Sequence, residues 1–197
     1  MKIKKSVLVD ALKVLGRVVS QTSPVEVQRS VRFLGVGTQV WLTATDGVES
    51  VMVEVIGDAG EMEDFAVEYK ALRELIRSTR GGEVEVTGKR LDWPEAEAVP
   101  DDAVTVELPP DFSKLLALAA PVVNLREARL ALRGINLSRD GLTVTNGKEL
   151  LNLPCPLKIP EDMTLPFPLA LLTARPEEAG TLHVWRSRNE RLFRIVI

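Results

Sequence analysis

Apolar positions fall into two periodicities along the chain, and their alternation draws the elements. Over residues 6–19, Leu8, Leu12 and Leu15 follow i, i+4, i+7, and Ala11 and Val19 widen the same stripe. That spacing predicts an amphipathic helix with Ser6 as its N-cap and Pro24 beyond its end. Lys13 and Arg17 stack one turn apart on its polar side. Residues 31–36 and 39–45 then alternate apolar and polar, which predicts two strands around a hairpin turn near Gly37. Val48 to Ile56 reads as a further strand, with Val51, Val53 and Val55 on one face. Gly57 to Asp64 reads as an acidic loop. From about Glu68 to Thr79 the helical period returns through Leu72, Leu75 and Ile76. Lys70, Arg73, Arg77 and Arg80 form a basic stripe at i, i+3, i+7, i+10, and Gly81-Gly82 stops the helix. Glu83 to Thr87 alternates as a strand.

The pattern then repeats. Asp111 is placed to cap a helix whose apolar face is Phe112, Leu115, Leu116 and Ala119. Ile135, Leu137, Leu142, Val144, Leu151 and Leu153 mark strands. Pro166 to Leu172 is a short helix-like segment, and Leu182–Trp185 and Leu192–Val196 are the last strands. The hexapeptide Leu42-Thr43-Ala44-Thr45-Asp46-Gly47 returns as Leu142-Thr143-Val144-Thr145-Asn146-Gly147, 100 residues later. Self-similarity at a fixed offset marks a repeated structural unit. The expected architecture is therefore α+β, with two copies of one domain over 1–103 and 104–197. The acidic, proline-bearing stretch Trp93 to Asp102 is the expected connector.

Composition narrows the function by subtraction. A chain of 197 residues suits two small domains, each just able to bury a core. No apolar run approaches ~18 residues, and the basic start is followed by Asp10 and Lys13 rather than a signal-peptide core, so a cytoplasmic protein is expected. Cys155 and His183 are the only residues of their kinds. A lone Cys and a lone His build neither an ordinary zinc site nor a nucleophilic dyad with its supporting partners. Cys155 reads as a buried inert thiol, and His183 alternates out of phase with Leu182 and Val184. No phosphate-binding glycine loop or nucleophile elbow appears. The carboxylate pairs Asp101-Asp102, Glu161-Asp162 and Glu177-Glu178 lie in proline-flanked loops and read as solvated turns. The expectation is a binding protein without catalytic residues, metal or cofactor.

Charge points to what is bound. The formal net charge is −3, yet acids gather in predicted loops and bases on predicted helices. The first copy's helices carry Lys13, Arg17, Lys70, Arg73, Arg77 and Arg80; the second copy's carry little beyond Lys114 and Arg175. A helix-borne basic face either is simply solvated or follows phosphates. Two such helices in one repeat favour the second reading.

At this point a family resemblance becomes visible. Val18-Val19-Ser20, the Leu42-to-Asp46 strand, and Phe65-Ala66-Val67 leading into Lys70-Ala71-Leu72-Arg73-Glu74-Leu75-Ile76 resemble the first domain of the bacterial sliding clamp, the DNA polymerase III beta subunit. Arg129-Leu130-Ala131-Leu132-Arg133-Gly134-Ile135, followed by the second hexapeptide, resembles a further domain of that family. The resemblance implies domains of two helices on antiparallel sheets, with the helices lining a ring that encircles duplex DNA. It implies a non-enzymatic processivity factor whose partners are duplex DNA, a DNA polymerase and a clamp loader. Two domains per chain, rather than three, imply a homo-oligomer, a trimer being favoured because it supplies six domains. Asn146 stands where the family has an acidic residue.

The residues expected to touch DNA are Lys13, Arg17, Lys70, Arg73, Arg77 and Arg80, with Lys114 a weaker member. The alternative is a clamp-derived adaptor that binds proteins without encircling DNA. The first domain is expected to supply most DNA contact and the second most partner contact. Leu151-Asn152-Leu153-Pro154 and Leu165-Pro166-Phe167-Pro168 either dock a partner or fill the second core.

Overall fold

The structure is a computed structural model and describes residues 1–95, 97–174, 180–187 and 190–196. Arg175 and Glu177-Glu178 lie outside the described residues. The chain divides into two units, residues 1–96 and 97–197.

In the first unit the order is β1 (Lys2–Lys4), α1 (Lys5–Leu15), α2 (Glu26–Arg29), β2 (Ser30–Thr45), β3 (Ser50–Glu68), α3 (Tyr69–Ser78) and β4 (Glu83–Glu85). The sheet order is β2-β3-β1-β4, with β1 antiparallel to both β3 and β4. The strands at 31–36 and 39–45 exist, but the expected turn near Gly37 does not. β2 runs through it, and β3 runs through the expected loop at 57–64, so the two form one ribbon from Ser30↔Glu68 to Thr45↔Ser50. The reason lies in a glycine pair. Gly37 and Gly60 face each other across the ribbon, both at φ 61, and the register slips on either side of Gly37. Left-handed glycines on both strands let the ribbon bend without reversing. A local pattern reads such a bend as a turn.

The ribbon reverses instead at residues 46–49, a turn that begins in the last two residues of the repeated hexapeptide. The Asp46 side-chain oxygen Oδ1 accepts the backbone N–H groups of Val48 and Glu49, at 2.8 and 2.7 Å. Thr45 Oγ1 donates to the Glu49 carbonyl and accepts from Gly47 N–H, and Gly47 takes φ 93. The second copy builds the same turn. Asn146 Oδ1 accepts from Lys148 and Glu149, Thr145 Oγ1 bonds Glu149 and Gly147, and Gly147 takes φ 86. The turn uses an acceptor oxygen, not a charge, so Asn serves where Asp does.

α1 begins at Lys5, so Ser6 is inside the helix and makes no cap; the helix stops at Leu15 rather than running to 19. Gly16 closes it by donating its N–H to Leu12 and Val14. Leu8, Ala11, Leu12 and Leu15 of α1 and Tyr69, Leu72 and Ile76 of α3 are buried in one core with Phe33, Val40 and Leu42. Phe33 and Phe65, directly opposite in the ribbon, stack at 5.3 Å.

The second unit repeats the helix and the turn, but short strands that form a hairpin at residues 139–140 stand where the first unit has one ribbon, and the unit builds two sheets. Its elements are β5 (Val104–Glu107), α4 (Phe112–Ala119), α5 (Leu130–Arg133), β6 (Gly134–Ser138), β7 (Gly141–Thr145), β8 (Leu150–Pro154), β9 (Met163–Pro166), α6 (Leu169–Ala174), β10 (Thr181–Ser187) and β11 (Glu190–Val196). They form sheets ordered β8-β7-β6-β9 and β11-β10-β5. Asp111 is at the N-cap of α4 but makes no capping hydrogen bond from its side chain. Leu116, Ile135, Leu137, Leu142 and Leu182 centre a separate core. Leu165 and Phe167 are buried in it and Leu151 and Leu153 pack against it, so these segments' leucines and phenylalanine serve the core. Cys155 is buried there too, and burial pushes its thiol pKa up, with Asp111 adding to the rise. His183 faces Thr105 across the sheet, its Nδ1 3.1 Å from Thr105 Oγ1.

Trp93 is buried, Glu97 Oε1 accepts a hydrogen bond from Trp185 Nε1 at 3.4 Å, and the Glu97 carbonyl accepts from Arg194.

Candidate nucleic-acid interface

The basic stripe depends on how α1 and α3 are joined. Tyr69, the first residue of α3, is buried, and its hydroxyl donates to the Leu12 carbonyl in the last turn of α1, at 3.1 Å. At the other end Lys5 Nζ, in the first turn of α1, donates to the Thr79 carbonyl at the end of α3, at 2.6 Å. Opposite ends are tied, so the helices run antiparallel, side by side on one core. Gly16 permits the approach: a Cβ there would lie 2.3 Å from the Tyr69 hydroxyl oxygen. Lys5 is a basic residue that the helical pattern does not single out. Its half-buried ammonium holds a helix end rather than facing solvent.

With the apolar faces of both helices turned inward, their basic residues share one side of the unit. Lys13 and Arg17 are exposed beside α1, and Lys70, Arg73 and Arg77 are exposed on α3, with exposed Arg80 just beyond it. The Arg73 guanidinium lies over the Tyr69 ring, 5.9 Å from its centroid. That contact leans it toward the end of α1 and orders a side chain that would otherwise sample many rotamers. Two acids interrupt the face. Asp10 pairs with Lys13 at 2.7 Å, and exposed Glu74 sits four residues after Lys70 and three before Arg77, spacings at which helical side chains are neighbours. The predicted residues of the first unit are thus brought together, with Lys13 partly neutralised.

The second unit lacks this face. Lys114 is exposed on α4 beside exposed Ala117 and Leu118, and α6 carries no charged side chain. Its cations lie elsewhere. Arg126, Arg129 and Arg133 are exposed in the segment leading into and through α5. Their i, i+3, i+7 spacing is that of Lys70, Arg73 and Arg77, yet it falls mostly outside any helix that the apolar pattern predicts. Glu127 accepts both Nε and Nη2 of Arg129, at 3.2 and 3.3 Å, and that bonding holds its carboxyl below the usual range.

Three further charged groups shape the first unit without joining the face. Arg32 and Asp64 form a two-pronged ion pair across the ribbon, both prongs 2.8 Å. The hydrogen bonds hold the Asp64 carboxyl below its ordinary value. Glu49, in the hairpin turn, goes the other way: burial first, and the adjacent Asp46 carboxylate second, push its pKa up to about 7. Among the described residues no group of three or more His, Cys, Asp or Glu is placed to hold a metal ion, and no helix is long and apolar enough to cross a membrane.

No protein-family model matches the chain, and no curated protein matches it by sequence. Its fold is nevertheless shared with bacterial DNA polymerase III beta sliding clamps. The clamp of Bacillus subtilis superposes with a TM-score of 0.72 at 16% identity, covering 100% of this chain and 64% of that one. The clamp of Bartonella birtlesii, bound to griselimycin, gives 0.75 at 18% identity, covering 98% and 61%. The Helicobacter pylori clamp bound to a DNA ligase peptide gives 0.70 at 15%, covering 100% and 66%. The chain therefore has the clamp fold over nearly its whole length while spanning about three fifths of the clamp chains it matches.

Proposed function

We propose that this protein is a sliding clamp, a processivity factor whose subunits associate head to tail into a ring around duplex DNA and tether a polymerase or another DNA enzyme there. The observation that carries the reading is the antiparallel α1–α3 pair. It presents Arg17, Lys70, Arg73, Arg77 and Arg80 on one side of a unit whose fold is that of DNA clamps. Exposed cations on rigid helices suit loose, sequence-independent contact with phosphates, which positions a protein on DNA without reading bases. No step of this role needs a nucleophile, a metal or a cofactor. Two units per chain suit a trimer, because a head-to-tail contact closes only if its rotation returns to the start.

A second reading is an adaptor of clamp descent that binds proteins without encircling DNA. The near-neutral α4–α6 face of the second unit favours it. Topology separates the two. A ring stays with nicked circular DNA through size-exclusion chromatography and runs off the same DNA once linearised. An adaptor is retained by neither. The native mass measured in parallel gives the number of subunits, and a strictly monomeric protein at tens of micromolar overturns the ring.

A further inference from the structure

The hairpin half of the first unit's ribbon is apolar on both faces. Val40, Leu42, Ala44 and Val55 point into the core shared with α1 and α3. Trp41, Met52, Glu54 and Ile56 lie on the opposite face, because successive strand residues alternate sides. There the register sets Thr43 against Met52, Trp41 against Glu54 and Gln39 against Ile56. Trp41 is thus flanked diagonally by Met52 and Ile56, within reach of its ring. No described residue covers the cluster: Met52 is 58% and Ile56 80% exposed. The second unit keeps the inward residues of this hairpin and drops the outward ones. At an offset of 100, buried Leu142 and Val144 stand for Leu42 and Ala44, but Gly141 stands for Trp41, Asn152 for Met52 and Pro154 for Glu54. Folding this hairpin therefore does not call for the outward side chains.

We infer that this outward face docks a partner protein through a segment that carries lysine or arginine beside large apolar side chains. The inference goes beyond the reading above and holds for a ring and an adaptor alike. Exposed apolar side chains grouped on one face mark a contact surface, and a tryptophan among them suits its anchor. Charge selects the occupant. From Ser50 to Asp64, β3 has five carboxylates and no cation. Glu63 is paired with the Met1 amino group and Asp64 with Arg32. Exposed Glu54, Asp58 and Glu61 form no ion pair with any described residue, and Lys2 of β1, across from Asp58, has Glu85 on its other side. Such a surface repels phosphate. A second copy seated face to face would bring Glu54 near Glu54, since that contact is self-complementary. A cationic, apolar protein segment meets both features of the face. The face lies across the sheet from α1 and α3, so a partner held there leaves the basic helices free.

The test uses the full chain, isotopically labelled, with a fluorescent helical peptide of leucine and lysine as the probe and a leucine–glutamate peptide as its control. The lysine probe should shift the Trp41 indole N–H signal and the amides of Met52, Glu54 and Ile56, while the indole signals of buried Trp93 and Trp185 stay in place. Met52→Ser with Ile56→Ser should weaken binding by about tenfold for each side chain no longer buried. Glu54→Gln should weaken it by about two- to fivefold and lessen its salt dependence. Leu118→Ser, at an exposed leucine of the second unit, should change nothing. All these sites are exposed, so melting temperatures should hold, which separates lost binding from lost fold. A probe that leaves Trp41 in place, or that binds M52S/I56S as tightly as the wild type, overturns the inference. Equal binding of the glutamate peptide overturns it too, by removing the charge argument. If the native mass of the wild type exceeds that of M52S/I56S, a second copy covers the face and the partner assignment fails. If M52S/I56S lowers the salt slope of duplex binding, the face meets DNA and the inference fails as well.

Discussion

The Tyr69 hydroxyl donates to the Leu12 carbonyl across the seam between α3 and α1, and Gly16 leaves the room for it. Tyr69→Phe removes that donor and keeps the ring beneath Arg73. It should cost about 1 kcal/mol in urea unfolding. Gly16→Ala forces a methyl group into the hydroxyl and should cost about 1–3 kcal/mol. If Gly16→Ala unfolds at the wild-type urea concentration, the seam is looser than described.

Glu74 is the one carboxylate within the α3 stripe. Glu74→Gln should tighten duplex binding at low salt by up to about 1 kcal/mol, since the charges are exposed and screened, and should leave stability nearly unchanged. Fluorescence anisotropy at two salt concentrations checks it: the gain should shrink as salt rises. A drop in affinity would mean that the stripe does not face DNA.

Asp46 and Asn146 do the same work in the two copies of the turn. Asp46→Asn should therefore fold with wild-type stability or better, whereas Asp46→Ala strands the Val48 and Glu49 N–H groups and should cost about 1–2 kcal/mol. Thermal melts of the two variants, compared with Asn146→Ala, make the measurement.

Glu49 gives the protein a pH dependence of definite sign. Its pKa is raised from 4.5 to about 7 on folding, so the folded state binds the proton more tightly. Stability should fall as pH rises from about 4.5 to about 7 and level off above that. Glu49→Gln should flatten this segment of the curve, and Asp46→Asn should reduce it only in part, because burial is the larger cause. The Arg32–Asp64 pair acts in a separate window with the opposite sign. Its contribution is full above the ordinary Asp value of 3.8 and disappears as pH falls through the depressed folded value. A melting temperature independent of pH between 5 and 7 in the wild type, and equal in Glu49→Gln, would remove Glu49 as the cause.

Gly37 and Gly60 both sit at φ 61 with open space where a side chain would begin. Alanine at either should cost about 1–2 kcal/mol through backbone strain alone. Because no atom is displaced, the larger valine should cost little more than alanine through contact.

Much of this molecule is legible from local pattern, for reasons that also explain the exceptions. Helices announce themselves within one or two turns, so α1, α3 and α4 follow from Leu8, Leu72 and Leu116 with their neighbours. The repeat follows from a hexapeptide whose Thr, Asx and Gly each have a fixed task in the turn. The bent ribbon does not follow, because Gly37 acquires its meaning only from Gly60 across the strand pair. The basic face is legible as a stripe but not as a face. Its assembly needs Tyr69 on Leu12 and Lys5 on Thr79, contacts between residues distant in sequence. The arginines near α5 do not stand out as a stripe, because the helix beside them is only four residues long.

The long ribbon also sets an order of events in time. Closure can start at the tight turn over 46–49, where the loop to be closed is shortest, and advance outward pair by pair. Ser30 and Glu68 meet at the far end of that zipper, and α3 starts at Tyr69 with no residue between. The helix that bears the most cations is therefore seated last. A chain interrupted midway along the ribbon holds its basic stripe on an unanchored segment, and slow zippering past the Gly37–Gly60 bend delays that stripe together with Val31 and Phe33, the core residues beyond the bend.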